Sequence, residues 1–327
     1  MWRITMTNIT CGNINQNFTH IFLPTVYVLV FITGLLANYF GLKSVWRSWM
    51  KLGNINIFVL NLGVADLLYV FTLPFLVVYY AKSSKWIFGS LFCKVTRFVF
   101  NLNLYGSIGF LTCISIYRYL GIVHPLKVMG RINTRLSVAI SILVWLLVII
   151  QILPDMFFEK TPRNSTDSCY DTTSKHLTRD YLPYSASWTF TGFCVPLLII
   201  LGCYGHVAVV LASNENVDAL LKQRCLKLVV VLVVLFSVCF IPYHILRNLN
   251  LMTRIMKYDG TCEEIFKHIY VAYQVSRGLA CMNSAINPLI YLLVSDDFLP
   301  RLNVIRNRKR KPREPDFIPM TIRENVI

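Results

Sequence analysis

Seven apolar segments, each long enough to cross a lipid bilayer, constrain the fold of this chain of 327 residues more than any other feature. A membrane-spanning helix needs about 20 consecutive, mainly apolar residues. Segments of this kind lie at 22–46, 55–81, 93–119, 136–157, 184–211, 226–251 and 267–293, and we call them the first to the seventh span. Because a backbone in hydrocarbon must satisfy its own hydrogen bonds, they predict an all-α membrane protein, a seven-transmembrane helix bundle.

The lysine and arginine residues between the spans predict the orientation of the bundle. Cytoplasmic loops of membrane proteins carry an excess of these two residues. Here the excess follows the first, third and fifth spans and fills the tail: Lys43, Arg47, Lys51, Lys127, Arg131, Arg135, Lys222, Arg224, Lys227 and the residues from Arg301 onwards. We therefore expect an extracellular N-terminal tail at 1–21, the transmembrane bundle at 22–298 and a basic cytoplasmic C-terminal tail at 299–327.

The composition agrees with a protein whose main surroundings are the lipid bilayer. Hydrophobic residues make up 55% of the chain and charged residues 15%, far from the proportions of a soluble domain. The net charge of +16 does not indicate nucleic-acid binding, because the basic residues do not cluster as in a binding domain. The sequence carries no motif of zinc proteases, P-loop nucleotide hydrolases or serine hydrolases, so we expect no enzyme.

Two kinds of extracellular mark fall on the side that the basic residues predict to be outside. Sequons for N-glycosylation begin at Asn8, Asn17 and Asn164. Four cysteines on the same side could pair in the oxidising extracellular compartment, Cys93 with Cys169 and Cys11 with Cys262. Both kinds of mark agree with an extracellular N-terminus.

Three arginines, Arg97, Arg247 and Arg277, lie one or two helical turns inside the outer ends of their spans. An ionised residue within a span is a candidate functional residue. Arginines that converge on one cavity would repel one another unless a polyanion neutralised them. The guanidinium group binds phosphate through paired, charge-assisted hydrogen bonds. The sequence therefore indicates a binding site for a polyanionic ligand in the outer half of the bundle.

Polar and aromatic residues share helix faces with these arginines, at intervals of three or four residues. The candidate ligand-binding residues of the spans are Arg97, Asn101 and Tyr105, then His244 and Arg247, then Tyr270, Tyr273, Gln274 and Arg277. The tyrosines could form an aromatic wall for a nucleobase. Alternatively, any one of these aromatic residues could belong to ordinary core packing, and His244 could be an interior histidine without a ligand contact.

Residues in all seven spans match one pattern: Asn38, Leu62 and Asp66, Cys93 and Arg118, Trp145, Pro196, Pro242, and Asn287-Pro288-Leu289-Ile290-Tyr291. In this combination the chain resembles the rhodopsin-like (class A) G-protein-coupled receptors. Within that family it looks most like the purinoceptors for extracellular nucleotides, above all those that respond to ADP. The stretches that carry this similarity are 86–89, 103–107, 169–173 and 273–279.

The resemblance implies a plasma-membrane receptor that binds an ADP-like nucleotide in its outer cavity and couples to a heterotrimeric G protein, of the Gq type with calcium release. It also implies that Asp171 and Thr172 help to close the nucleotide site. Residues expected to act in activation and G-protein coupling are Arg118, Phe240, Pro242, Asn287, Pro288 and Tyr291. Tyr117 replaces the acid that usually precedes the arginine, so we expect packing rather than salt bridges to hold the inactive state.

Asp66 is the only acid well inside a span. Receptors of this kind commonly hold a sodium ion there, and Asp66, Ser107, Asn283 and Asn287 could supply its oxygen ligands. The alternative is a protonated Asp66, which burial favours, hydrogen-bonded to Asn38 and Asn287. Apart from this sodium ion we expect no cofactor.

Two other ligand classes stay open from the sequence. Receptors for small anions such as dicarboxylates also use outer arginines, and counting charges cannot separate them from nucleotide receptors. An organic-anion transporter is the third possibility, but it predicts an internal repeat with broken helices in matching halves. The chain shows no such repeat, and seven unequal spans do not divide into two halves.

Overall fold

In a computed structural model, the structure describes residues 17–47, 54–124, 133–158, 169, 175–213, 227, 229–261 and 263–295. The secondary-structure elements of these residues are all helical. Six long apolar helices coincide with the first six predicted spans: Phe18–Arg47, Ile55–Ala81, Ser90–Val123, Thr134–Met156, Leu177–Ser213 and Val229–Tyr258. The predicted all-α membrane bundle is therefore confirmed.

The seventh span consists of two helices, Ile265–Cys281 and Asn283–Ser295, which a turn at Met282 separates. Their 17 and 13 residues are each too short to cross a bilayer alone, but together they exceed the required length. Pro288 lies inside the second of them. The predicted seventh span is thus present as a broken helix.

Prolines mark breaks in the second and sixth spans as well. The second span is interrupted between Ile55–Val70 and Leu73–Ala81, and Pro74 lies in the first turn of the outer piece. In the sixth span, Pro242 lies in the first turn of Ile241–Tyr258, directly after a π-helical turn at Phe236–Phe240. The first turn of a helix tolerates proline because its backbone N–H has no intrahelical partner.

The third span is the centre of the bundle and the fourth lies at its edge. In their most apolar stretches 78% of the residues of the third span are buried, against 22% in the fourth. Apolar side chains of the fourth span that are at least half exposed are Ile142, Leu143, Leu146, Leu147 and Ile150. Such a surface is unfavourable in water, so the outer faces of the bundle require a hydrocarbon environment.

A disulfide joins Cys93, at the outer start of the third span, to Cys169, with 5.7 Å between their Cα atoms. This confirms the first predicted bridge. The second predicted bridge, Cys11 with Cys262, and the sequons at Asn8 and Asn164 lie outside the described residues. Asn17 begins the first helix, Asn17–Arg47. Glycosylation and the second bridge therefore stay predictions.

Candidate functional site

The outer ends of the third and fourth spans meet at a buried ion pair between Arg97 and Asp155. The Nη2 atom of Arg97 lies 3.4 Å from Oδ2 of Asp155 and donates a hydrogen bond to its backbone oxygen at 3.2 Å. The two side chains are only 8% and 3% exposed. The Nε atom of Arg97 is buried and has no hydrogen-bond partner among the described residues, so this guanidinium retains an unused donor.

Tyr181 connects this ion pair to the fifth and sixth spans. Its hydroxyl donates to Oδ1 of Asp155 at 2.7 Å. The same hydroxyl accepts a hydrogen bond from Nη2 of Arg247 at 2.8 Å. A phenol has one proton to donate, so the donor goes to the carboxylate and a lone pair faces the second arginine. Four spans are thereby joined by one chain of polar contacts.

Arg247 lies between an indole ring and two phenols. Its guanidinium carbon is 4.3 Å from the centre of the Trp188 ring, a cation–π distance. Its Nη1 atom donates to the hydroxyl of Tyr105 at 3.4 Å, and that hydroxyl lies 3.4 Å from Nδ1 of His244. We call the set Arg97, Tyr105, Asp155, Tyr181, Trp188, His244 and Arg247 the outer arginine cluster.

His244 is held in this cluster by ring contacts. It stacks on Phe193 with the ring centres 4.3 Å apart, and it lies 5.4 Å from the ring of Tyr105. Its Nε2 atom is buried without a hydrogen-bond partner in the described part of the chain. Buried polar atoms are normally paired. His244 therefore offers an unused polar atom beside Arg247.

Arg277 occupies a second environment, formed by the first, second and seventh spans. Its Nε donates to the Tyr27 hydroxyl at 3.2 Å and its Nη1 to Oε1 of Gln274 at 3.4 Å. Its Nη2 bonds the hydroxyl of Tyr80, and the Tyr80 ring centre is 5.4 Å from the guanidinium carbon. The structure therefore joins Arg97 and Arg247 through shared partners, whereas Arg277 contacts a different group of side chains.

Aromatic rings lie between the seventh span and the outer arginine cluster. Tyr273 stacks on Tyr243 at 6.2 Å, and Tyr243 lies 5.5 Å from the ring of His244. Phe100 packs edge-on against Tyr243 at 5.8 Å. Of the other predicted residues, Asn101 is buried and Tyr270 is half-buried, while Asp171 and Thr172 lie outside the described residues. The predicted aromatic wall thus includes Tyr243, which the sequence did not single out.

Amide groups surround the buried carboxylate of Asp66. Asn287 donates through Nδ2 to its two oxygens at 3.0 and 3.1 Å, and Asn103 donates to Oδ1 at 2.9 Å. Asn287 and Asn103 also lie 3.4 and 3.5 Å from Oγ of Ser107. Asn103 completes this group and was missed from the sequence. The expected Asn38 partner instead donates to backbone oxygens of Gly34 and Ser284 at 2.9 and 2.8 Å.

A hard cation prefers carboxylate, hydroxyl and amide oxygens, and this group contains all three. The Oδ1 atom of Asn287 is buried without a partner among the described residues. Oδ1 of Asn283 accepts from the hydroxyl of Ser284 at 2.9 Å. The donor set around Asp66 and Ser107 therefore fits a sodium ion in its chemistry, and Asn287 has an oxygen to spare for it.

Comparison with known proteins identifies the family. The sequence pattern described as "7 transmembrane receptor (rhodopsin family)" matches residues 37–291. The chain belongs to the rhodopsin family of seven-transmembrane receptors. It is 40% identical to purinoceptor 1 of Meleagris gallopavo over 96% of this chain and 88% of that protein. It is 41% identical to the protein of the same name from Homo sapiens, over 90% and 79% of the two chains.

A relative of a different ligand class has similar coverage. The chain is 36% identical to 2-oxoglutarate receptor 1 of Rattus norvegicus over 88% of this chain and 85% of that receptor. The purinoceptor resemblance is confirmed by the first two relatives. As a member of the rhodopsin family, the protein is a multi-pass G-protein-coupled receptor of the plasma membrane and not an enzyme.

The residues expected to act in activation lie towards the inner half of this receptor. Arg118 is 4% exposed and Phe240, the last residue of the π turn Phe236–Phe240, is fully buried. Phe240 packs edge-on against Phe236 at 5.0 Å. Tyr291 lies in the last helix, Asn283–Ser295. Buried arginine and aromatic side chains at these positions agree with an inactive state held by packing.

Sequence reasoning missed Asp155, Tyr181 and Trp188 in the outer arginine cluster. Asp155 follows Pro154 in a 3-10 turn at Leu153–Met156, and its charge at the end of an apolar span was the signal that could have identified it. Tyr181 and Trp188 belong to the fifth span, where a tyrosine or tryptophan is unremarkable by itself. Their role depends on which arginine they contact, and this is visible only in the folded bundle.

Proposed function

We propose that this receptor binds an extracellular nucleotide of the ADP class in its outer cavity. We further propose that binding promotes coupling to a heterotrimeric G protein of the Gq type, with release of calcium. The observation that carries the proposal is the position of Arg247. This guanidinium is 6% exposed, and its partners among the described residues, Tyr105, Tyr181 and Trp188, are all neutral.

A buried cation with neutral partners gains most from an anionic ligand. Taking a charge out of water is costly unless a counter-charge and hydrogen bonds replace the water. A phosphate group supplies both, because its oxygens match the fork of the guanidinium. Unused polar atoms on Arg97 and His244 lie in the same cluster. These features favour a ligand with several anionic oxygens.

The aromatic rings favour a nucleobase as the rest of the ligand. Tyr243 and Tyr273 stack on each other next to His244, and a planar base can stack on such rings. The purinoceptor relatives support this assignment by their names. A dicarboxylate is the second candidate, because the relative named 2-oxoglutarate receptor 1 is 36% identical and carboxylates also pair with arginine.

The position of the ligand-binding residues on the sixth span suggests how binding would reach the inner face. Arg247 lies seven residues after Phe240 on the same span, about 10 Å along a helix. The π turn Phe236–Phe240 and Pro242 lie between the site and the inner half. A ligand that pulls on Arg247 therefore acts on the helix segment that the family is expected to move, and selects an active arrangement.

We also propose that Asp66, Ser107, Asn283 and Asn287 hold a sodium ion in the middle of the bundle. The support is the oxygen-rich donor set and the unpartnered Oδ1 atom of Asn287 among the described residues. When bound, the ion would supply a positive charge that balances the Asp66 carboxylate.

The function is tested by calcium release in transfected cells exposed to ADP, ATP, UDP, UTP, succinate and 2-oxoglutarate. We expect a response to one nucleotide. Arg247→Ala and Arg277→Ala should each weaken that response by about 30-fold to a few thousandfold, since truncating one partner of a buried charge pair costs about 2–5 kcal/mol. A response to a dicarboxylate alone would contradict the nucleotide proposal and support the second candidate.

Arg179→Ala is the matched control for both substitutions. Arg179 is also an outer arginine of the bundle, but its side chain is 66% exposed and pairs with Asp259. An exposed ion pair contributes little, about 0–1 kcal/mol. We expect Arg179→Ala to leave nucleotide potency unchanged at equal surface expression, and an equal loss in this control would show that any removal of outer charge weakens the response.

A further inference from the structure

We propose that Asp155 is a resident counter-ion of the outer arginine cluster and that an anionic ligand binds in competition with it. Asp155 would thereby set the affinity of the receptor for its ligand. This inference rests on the proposed function, because it assumes that the ligand is an anion.

The carboxylate of Asp155 acts on both arginines of the cluster through separate oxygen atoms. Oδ2 pairs with Arg97 at 3.4 Å. Oδ1 accepts the proton of the Tyr181 hydroxyl at 2.7 Å, which leaves that hydroxyl oxygen to accept from Arg247 at 2.8 Å. One internal carboxylate thus pairs directly with the first cation and orients the hydrogen-bond acceptor of the second.

The burial of the pair makes its charge effective. Arg97 and Asp155 are 8% and 3% exposed, so water screens the attraction between them much less than at the surface. Asp155 cancels one of the two positive charges of the cluster while the cavity holds no ligand. An incoming phosphate then faces a neighbouring negative charge, and it must take over the donors that Asp155 occupies.

The cluster retains polar atoms with which a ligand could start this exchange. Nε of Arg97 is buried without a partner among the described residues, and so is Nε2 of His244. A phosphate could bond these atoms first and then share or replace the hydrogen bonds to Asp155. The cost of this exchange lowers affinity, and removal of the carboxylate should recover it.

The opposite reading is that Asp155 helps the ligand by holding Arg97 in place. Both readings agree with the same distances, but they predict opposite effects when the charge is removed without changing the size of the side chain. Asp155→Asn makes this change. If the carboxylate competes with the ligand, its loss raises affinity; if it positions Arg97 for the ligand, its loss lowers affinity.

The experiment measures nucleotide binding and calcium release for full-length wild type and Asp155→Asn at matched surface expression. We expect the most active nucleotide of the wild-type panel to bind roughly tenfold more tightly to Asp155→Asn, a typical size for coupling between two binding events. The gain should disappear when Arg97→Gln is also present, because the competition acts through this arginine. An unchanged or lower affinity of Asp155→Asn would overturn the inference.

Asp259→Asn is the matched control. Asp259 is also an outer acid paired with an arginine, Arg179, but both side chains are largely exposed. We expect no change in affinity, and a gain equal to that of Asp155→Asn would reduce the effect to a general loss of negative charge and overturn the inference.

Tyr181→Phe keeps the test decisive if Asp155→Asn does not reach the cell surface. It retains the Arg97–Asp155 pair and removes only the hydroxyl between Asp155 and Arg247. We expect a smaller gain in affinity than for Asp155→Asn, and a loss would count against the competition. A wild-type receptor that responds to no nucleotide refutes the proposed function instead, so the two failures are distinguishable.

Discussion

Replacing Gly192 by alanine tests the packing that holds Tyr105 in the outer arginine cluster. Gly192 lies in the π turn Phe190–Cys194 of the fifth span. A Cβ atom at this position would come within 2.5 Å of Nε2 of Gln151 and within 2.6 and 2.8 Å of the Tyr105 ring. The Tyr105 ring is buried and its hydroxyl is bonded to Arg247, so it cannot move without disturbing the cluster.

The expected cost combines three effects of known size. Alanine is favoured over glycine in a helix by about 1 kcal/mol. Overpacking a tight interior costs about 1–3 kcal/mol. The Gln151 amide donates to the Trp188 backbone oxygen at 3.0 Å and to the Thr191 hydroxyl at 3.1 Å, and each such bond between membrane helices is worth about 0.6 kcal/mol. We therefore expect Gly192→Ala to lower the free energy of unfolding by about 1–3 kcal/mol.

The assay is thermal unfolding of the full-length receptor in detergent, combined with nucleotide potency in cells. The unfolding midpoint should fall by several degrees, at about 2–4 °C per kcal/mol, and potency should fall because Tyr105 is displaced. Gly202→Ala and Gly205→Ala are matched controls in the same span, since an added Cβ there meets no atom within 4 Å. If Gly192→Ala is as stable as these controls, the described packing of Tyr105 is wrong.

Two further predictions concern contacts between spans. Asn248 bonds Ser185 at 2.8 Å and Thr189 at 2.9 Å, so Asn248→Ala should lower the free energy of unfolding by about 1 kcal/mol; an unchanged unfolding midpoint in detergent would contradict this link between the fifth and sixth spans. Exchange of N-methylglucamine chloride for sodium chloride at constant ionic strength should change agonist affinity in wild type but not in Asp66→Asn, measured by radioligand competition; an equal effect on both would refute the sodium proposal.

The sequence predicted the spans well because the bilayer makes hydrophobic length the dominant signal. The second span was predicted at 55–81 and is Ile55–Ala81 in the structure. The breaks were not predicted, because the interruption before Leu73 and the turn at Met282 change the geometry of a single turn and hardly alter the mean hydropathy of the segment. The π turns were missed for the same reason.

In the candidate site, helical spacing placed residues on the correct faces but could not assign their partners. Arg97, Asn101 and Tyr105 share a buried face of the third span, as the spacing of four predicts. That Arg97 would meet Asp155 depends on how the third and fourth spans cross, and periodicity within one helix contains no information on this. The same limit explains why Arg277 was expected beside the other two arginines, whereas the structure places it with Tyr27 and Tyr80.

The π turns of the fifth and sixth spans have a consequence for chimaeric receptors. A π turn closes its hydrogen bonds over five residues instead of four, so it adds one residue and rotates everything beyond it by about 100° relative to a continuous α-helix. Trp188 precedes the turn Phe190–Cys194, and Arg247 follows the turn Phe236–Phe240, so both side chains owe their direction to this rotation. A chimaera that joins the extracellular half of this chain to the intracellular half of a relative with uninterrupted helices must restore the missing residue at each junction. Without it, both side chains would point towards the acyl chains.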